Sequence, residues 1–260
     1  AIIDEAHEGT QTSLGENVIN EIVHEGTKTL ELSGTPFNLI DLFNEDEVYT
    51  WDYVMEQKAK LDYRINHYGD YNPYEELPQM QIYTYNIDTL IEGYESDDMA
   101  FNFHEFFRTW REDSGELPIG ANVGDFVHKK DVHRLLDLIA SKDNNSNYPF
   151  STDAYRLYFR HSLWMVPGVK EAKALSEMIR QHDAFSNFEV VNVAGDGDEE
   201  EDSLDALSKV RKAIRENEYT ITLSCGRLTT GITVPEWTAV FMLSGTFSTS
   251  ASSYLQTIFR

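Results

Sequence analysis

The sequence predicts an α/β fold built on parallel sheets. Two observations carry this. Short apolar runs of strand length recur along the chain, among them Ala1-Ile2-Ile3, Leu163-Trp164-Met165-Val166 and Val190-Val191-Asn192-Val193. Between such runs lie stretches with apolar residues at helical spacing, such as Val169, Ala172, Leu175, Met178 and Ile179. Continuous apolar runs, rather than alternating ones, mark strands buried on both faces, as in parallel sheets covered by helices. A chain of 260 residues that is 41% hydrophobic has room for one large domain or two ordinary ones.

The opening strand runs directly into Asp4-Glu5-Ala6-His7. In open α/β sheets ligands sit just beyond the carboxyl ends of the strands. An Asp-Glu pair at that edge can hold Mg²⁺ with one carboxylate and orient a water with the other. A helix is predicted from Ser13, where Ser13 and Glu16 have capping-box spacing and Leu14, Val18, Ile19 and Ile22 form one stripe. Gly26 suits its end. Lys28 to Leu32 reads as a second strand, closed by the small polar turn Ser33-Gly34-Thr35-Pro36. Val54 to Ile65 is a predicted helix, and Gln79 to Tyr85 alternates as a strand does. Glu56-Gln57-Lys58 has a form used by Mg²⁺ nucleases, but a solvated helix face accounts for it.

Residues 93–150 read as a mostly helical insertion. Phe101, Phe103, Phe106, Phe107 and Trp110 are expected to form a small satellite core, with base stacking as the alternative. His128, Lys129, Lys130, His133 and Arg134 form a basic patch, open to two readings: a DNA-tracking surface or an ordinary solvated face. From Ser151 a second set of strands and helices begins. Strands are predicted at His161–Pro167, Phe188–Val193, Tyr219–Ser224 and Ala239–Leu243. A helix carrying Leu204, Leu207, Val210 and Ile214 puts Lys209, Arg211, Lys212 and Arg215 on its outer side. The acidic run from Gly195 to Asp202 lacks the spacing of a calcium loop and reads as solvated.

Net charge is −24, from 45 acidic and 21 basic residues. Such a chain repels DNA as a whole, so any DNA contact must be local and rest on hydroxyls, backbone amides and a few cations. One cysteine, Cys225, excludes an internal disulfide framework and a cysteine zinc site, and its apolar flanks suit a buried thiol. No signal peptide or transmembrane run is evident, which suits the cytoplasm. Both ends read as cut, so the chain is expected to be a piece of a longer protein.

Four segments carry a resemblance: Asp4-Glu5-Ala6-His7, Leu32-Ser33-Gly34-Thr35-Pro36-Phe37, Gly226-Arg227-Leu228-Thr229-Thr230-Gly231-Ile232-Thr233, and Gln256-Thr257-Ile258-Phe259-Arg260. In this order they resemble the second, third, fifth and sixth motifs of superfamily 2 helicases and translocases. More narrowly, they resemble the motor subunit of type III and related single-chain restriction enzymes. The resemblance implies two RecA-like domains, the first incomplete: residues 1–50 ending the first, 51–150 inserted, and 151–260 forming the second. It implies an ATP-dependent DNA translocase that moves on duplex DNA, with ATP and Mg²⁺ as cofactors and methyltransferase, specificity and nuclease modules as partners. Asp4 would hold Mg²⁺, Glu5 would activate water, and His7 would sense the nucleotide. Ser33 and Thr35 would couple the nucleotide site to DNA, while Arg227, Thr229 and Thr230 would contact DNA. Gly231, Thr233 and Gln256 would lie at the nucleotide, and Arg260 would stabilise phosphate charge across the cleft. Thr233 stands where many relatives carry aspartate.

No Gly-x-x-x-x-Gly-Lys-[Ser/Thr] loop occurs in the chain. The resemblance places it upstream of Ala1, so the chain alone is expected to bind ATP weakly and hydrolyse it negligibly. Two alternatives remain: another superfamily 2 helicase, acting on RNA or in repair, and a non-catalytic RecA-like interaction module.

Overall fold

A computed structural model of the chain describes all residues except 7–12, 38, 86, 88–93, 95–100, 143–146, 196–202, 229–231, 246–250 and 259–260. The architecture is α/β with parallel sheets, consistent with a RecA-like fold. The chain divides into two compact units, Ala1–Tyr85 and Asn86–Arg260.

In the first unit, β1 (Ile2–Ile3) and β2 (Leu30–Glu31) pair in parallel, with Ile2 opposite Leu30 and Ile3 opposite Glu31. Parallel neighbours need a crossover, and α1 (Ser13–Ile22) supplies it, followed by Gly26 in the left-handed region. The side chains of Leu14 and Glu16 lie outside the described ones. The expectation that the opening strand is buried on both faces does not hold: Ile2 is 73% exposed and Leu30 53%. A two-stranded sheet has too few neighbours to cover either face. Val18 and Ile22 on α1 are exposed as well.

The helix predicted at Val54–Ile65 is α2 (Tyr53–Asn66), capped by Asp52, whose carboxylate accepts from the Met55 N–H at 2.8 Å. The strand expected at Gln79–Tyr85 is absent; this segment is irregular. The chain leading into it is fastened to α2 by side chains instead of pairing with a strand. Lys60 Nζ donates to the carbonyls of Glu75 (2.6 Å) and Leu77 (2.9 Å), Gln57 Nε2 to that of Pro78 (3.1 Å), and the Met80 N–H to Tyr53 Oη (2.8 Å). Alternation alone makes no strand where the described residues offer no ladder partner.

Among the described residues, the first helices of the second unit are α3 (Phe103–Phe106) and α4 (Lys129–Ile139), joined by loops. α5 (Asp153–Tyr158) follows. Then come β3 (His161–Met165), α6 (Val169–Gln181), β4 (Glu189–Asn192), α7 (Ser203–Glu216), β5 (Thr220–Ser224), β6 (Ala239–Met242) and α8 (Ala251–Ile258). The sheet order is β4-β5-β3-β6, with all neighbours parallel. Every residue of the central strands β3 and β5 is buried.

Both faces of this sheet are covered. Trp164, Ile221 and Leu223 pack in one core with Ala172, Leu175 and Ile179 of α6. Leu163 and Met165, on alternate positions, pack in a second core with Ala206 and Val210 of α7. Val132, Leu135, Leu136 and Ile139 form the buried stripe of α4, in the same core as α6. Phe106 and Phe107 also join that core, which corrects the satellite reading of the aromatic cluster: it is continuous with the sheet rather than separate. Both residues are essentially inaccessible, which removes base stacking for them.

At the start of β3, buried His161 places Nδ1 3.1 Å from Thr220 Oγ1. Burial, with Arg160 adding, pushes its pKa below the ordinary 6.5. The unfolded chain therefore binds the proton more readily than the folded one. This contribution to stability is complete above pH 6.5 and is lost as pH falls from there through the depressed folded value. Melting temperature should decline across that window in the native chain and less steeply in His161→Gln; equal slopes would exclude His161 as the cause.

Candidate functional site

The register of β1 and β2 brings two predicted motifs to one edge. Beyond the strands the pairing continues, with the Ala6 N–H donating to the Leu32 carbonyl at 2.9 Å. Asp4-Glu5 and Ser33-Gly34-Thr35 therefore leave the same carboxyl end of the same parallel pair. The Glu5 N–H donates to Asp4 Oδ1 at 2.9 Å, which orients that carboxylate. The Thr35 N–H donates to Ser33 Oγ at 3.1 Å, closing a tight hydroxyl turn, and Thr35 is buried. Asp4 and Glu5 are exposed. His7 lies outside the described residues.

Among the described residues, two non-glycines have left-handed backbones, Glu5 (φ 49°) and Leu228 (φ 61°). Each lies within a predicted motif. Such backbone is strained for residues with a Cβ, by about 1–3 kcal/mol, and persists where surrounding structure enforces it.

At the carboxyl edge of the second unit's sheet, β5 runs into Cys225-Gly226-Arg227-Leu228. Ser224 Oγ donates to the Arg227 carbonyl, and Leu228 is buried in the core with α7. The Arg227 guanidinium lies over Gly195, in the turn after neighbouring β4; a Cβ there would sit 3.2 Å from Nη2. Gly195 also has φ +97°, so close approach and backbone both favour glycine. Thr229, Thr230, Gly231 and Arg260 lie outside the described residues, as does the side chain of Gln256 on α8. Thr233 is exposed, and its carbonyl accepts from Arg211 Nη2 at 3.5 Å. The acidic run after Gly195 is likewise outside the description. Burial, then the charge of Glu171, pushes the Cys225 thiol above its ordinary pKa, so it is a poor nucleophile.

Glu171, in the first turn of α6, was not singled out in the sequence. It is 7% exposed, and its carboxylate accepts from Thr109 Oγ1 at 3.0 Å, with Arg111 Nη2 at 3.9 Å. The carboxylate folds over Gly168, where a Cβ would meet Oε2 at 2.1 Å. A cavity of about 490 Å³ opens beside it at the end of β3, lined by residues including His104, Arg108, Arg111 and Pro167. The spacing Gly168-x-x-Glu171 after a strand was a readable helix-start signal. Its burial was not, because Thr109 comes from a distant segment.

The predicted basic patch lies on the outer face of α4, with Lys129, Lys130, His133 and Arg134 exposed. Acids neutralise part of it: Asp131 lies 3.6 Å from Arg134, and Asp137 3.0 Å from His133. His128 turns to Glu105 at 2.8 Å. Burial raises the Glu105 pKa, but hydrogen bonds from Arg108 and His128 outweigh it and leave the carboxyl below its ordinary value. On α7, Lys209, Arg211, Lys212 and Arg215 are exposed as predicted. Glu56-Gln57-Lys58 lies within α2 rather than at a strand end, as a solvated helix face requires.

The chain is similar to a protein of Mycoplasma pneumoniae described as a candidate type II restriction enzyme and methyltransferase, C-terminus. The two are 29% identical over 248 residues, which is 88% of this chain and 33% of that protein. The chain thus spans about a third of the length of the relative it matches. No protein-family model matches the chain, and no solved structure matches it significantly. No described helix is long and apolar enough to cross a membrane.

Proposed function

We propose that the chain is part of the motor of a restriction enzyme, a translocase that couples ATP hydrolysis to movement on duplex DNA. The observation that carries this reading is the convergence of Asp4-Glu5 and Ser33-Thr35 on one carboxyl edge, with Glu5 in strained backbone. Similarity to a restriction and methyltransferase protein supports the restriction context. In this reading residues 1–50 end one RecA-like domain, 151–260 form the next, and residues 51–150 connect them. The motor works in the cytoplasm, beside methyltransferase, specificity and nuclease modules.

Exposed carboxylate oxygens are hard ligands of the kind Mg²⁺ takes, usually one or two of them together with substrate phosphates, so the donor set at Asp4 fits. Mg²⁺ bound with ATP would neutralise charge developing on the terminal phosphates. Asp4 would hold that ion through its carboxylate. Glu5 would accept a proton at its carboxylate from the attacking water. The Ser33-Thr35 turn, which leaves the same edge, would pass a change there towards DNA. Arg227, Thr229 and Thr230 would grip the DNA backbone mainly through hydroxyls and one cation, which suits a chain of net charge −24. Arg260 would stabilise phosphate charge, and His7, Gly231, Thr233 and Gln256 would contact the nucleotide.

ATP turnover by the intact protein tests this. Duplex DNA should stimulate turnover and RNA should not. Stimulation by RNA would favour another kind of superfamily 2 helicase, and no turnover with either would leave a non-catalytic module.

A further inference from the structure

We propose that His133, Asp137 and His182 bind a divalent transition-metal ion of the zinc class. His133 and Asp137 stand one turn apart on α4, so they share a face. His182 follows α6, where it caps a short 3-10 turn, Asp183–Phe185. Packing of α4 and α6 in one core brings the three together. One ligand atom from each lies within 4.8 Å of the others. Asp137 offers one oxygen to each ring: Oδ2 is 3.0 Å from His133 Nδ1, and Oδ1 is 3.1 Å from His182 Nε2. The two rings are tilted by 37° to each other, with centroids 4.9 Å apart.

Burial is divided in a useful way. The His182 side chain is 7% exposed and rests against Phe185, so packing fixes one ligand. His133 and Asp137 are 54% and 59% exposed, so an ion can reach them. Two imidazole nitrogens with one carboxylate oxygen suit zinc and its neighbours in the first transition row. Mg²⁺ and Ca²⁺ favour oxygen alone. With bonds of about 2.0–2.2 Å, tetrahedral zinc holds its ligand atoms roughly 3.4 Å apart. Each ring nitrogen is already close to this separation from one Asp137 oxygen, but the two use different oxygens, so binding turns Asp137 to share one oxygen and draws the rings together.

Without metal, the Ala184 N–H donates to His182 Nδ1 at 3.3 Å. The neutral ring therefore carries its proton on Nε2 and donates it to Asp137. Metal at Nε2 moves that proton to Nδ1 and sacrifices the long Ala184 bond. In exchange the ion replaces hydrogen bonds to Asp137 with coordinate bonds and pins α4 to the end of α6.

The test titrates the metal-free chain with Zn²⁺ by calorimetry, with Mg²⁺ in parallel, and follows melting temperature in both. One Zn²⁺ should bind per chain and raise the melting temperature, and Mg²⁺, with no nucleotide present, should do neither. His133→Ala and Asp137→Asn change exposed residues on a helix surface and should keep the native circular dichroism spectrum. Each should weaken zinc by about 100-fold or more, since loss of even an outer-shell partner costs 10- to 100-fold. His67→Ala, a histidine of the first unit, should change nothing. Zinc affinity equal in the native chain and His133→Ala would overturn the proposal, as would an equal loss in His67→Ala.

Discussion

Glu5→Gln in the intact protein should lower DNA-stimulated ATP turnover by about 10²- to 10⁴-fold, the range supplied by a positioned general base, while ATP binding persists. Glutamine keeps the size and shape of the side chain but cannot take up a proton at the same site. The residue is exposed, so the exchange leaves no buried group without a partner. Its strained backbone is set by neighbours: the Asp4 carboxylate accepts its N–H, and Ala6 is tied to Leu32. Both contacts run through backbone N–H groups, which the exchange keeps. The decisive comparison is turnover against equilibrium nucleotide binding. Turnover at the native level would remove Glu5 from the chemistry. Loss of binding together with turnover would make it a ligand-holding residue instead.

Phe150→Ala should destabilise the second unit by about 3–5 kcal/mol, the range for emptying a large aromatic site in a core. Phe150 is fully buried at the centre of an aromatic assembly. Its ring lies 5.2 Å from that of Phe185 and 5.4 Å from that of Phe188, both nearly edge-on, and is stacked 5.6 Å from Phe241 of β6. Phe159 and Trp164 complete the surround at about the same range. Such ring pairs add about 0.5–1.5 kcal/mol beyond area burial. A domain is stable by only about 5–15 kcal/mol in total, so the variant should unfold at much lower urea. Leu157→Ala, on the exposed side of α5, should change stability by no more than about 0.5 kcal/mol. A loss below 1 kcal/mol in Phe150→Ala would mean that this core can collapse around the gap.

Much of the fold was legible because its strongest signals are local. β3 and β5 are buried along their whole length; the run Leu163-Trp164-Met165-Val166 announces that for β3, whereas β5 alternates and buries Thr220, Thr222 and Ser224 with its apolar residues. Ala172, Leu175 and Ile179 recur at helical spacing because α6 covers one face of the sheet with one stripe. The failures were equally physical. Gln79 to Tyr85 alternates as a strand would, but the chain entering it is fastened to α2 by side chains. Phe106 and Phe107 looked like a separate cluster, yet they pack with α4, α6 and the sheet. Ile2 has a core residue's character without a core residue's burial, since among the described residues β1 pairs only with β2.

The sequence by itself determined the α/β class, the positions of the main strands and helices, and the motifs that join Asp4-Glu5 to Ser33-Thr35 by resemblance. These follow from patterns within a few residues, where each side chain's polarity states which way it must face. The tertiary structure alone decided that Glu171 is buried against Thr109, that Arg227 rests on Gly195, and that His182 meets His133 and Asp137. Those pairs are distant along the chain. Only the packing of one element against another brings them within reach, and no local periodicity encodes that distance.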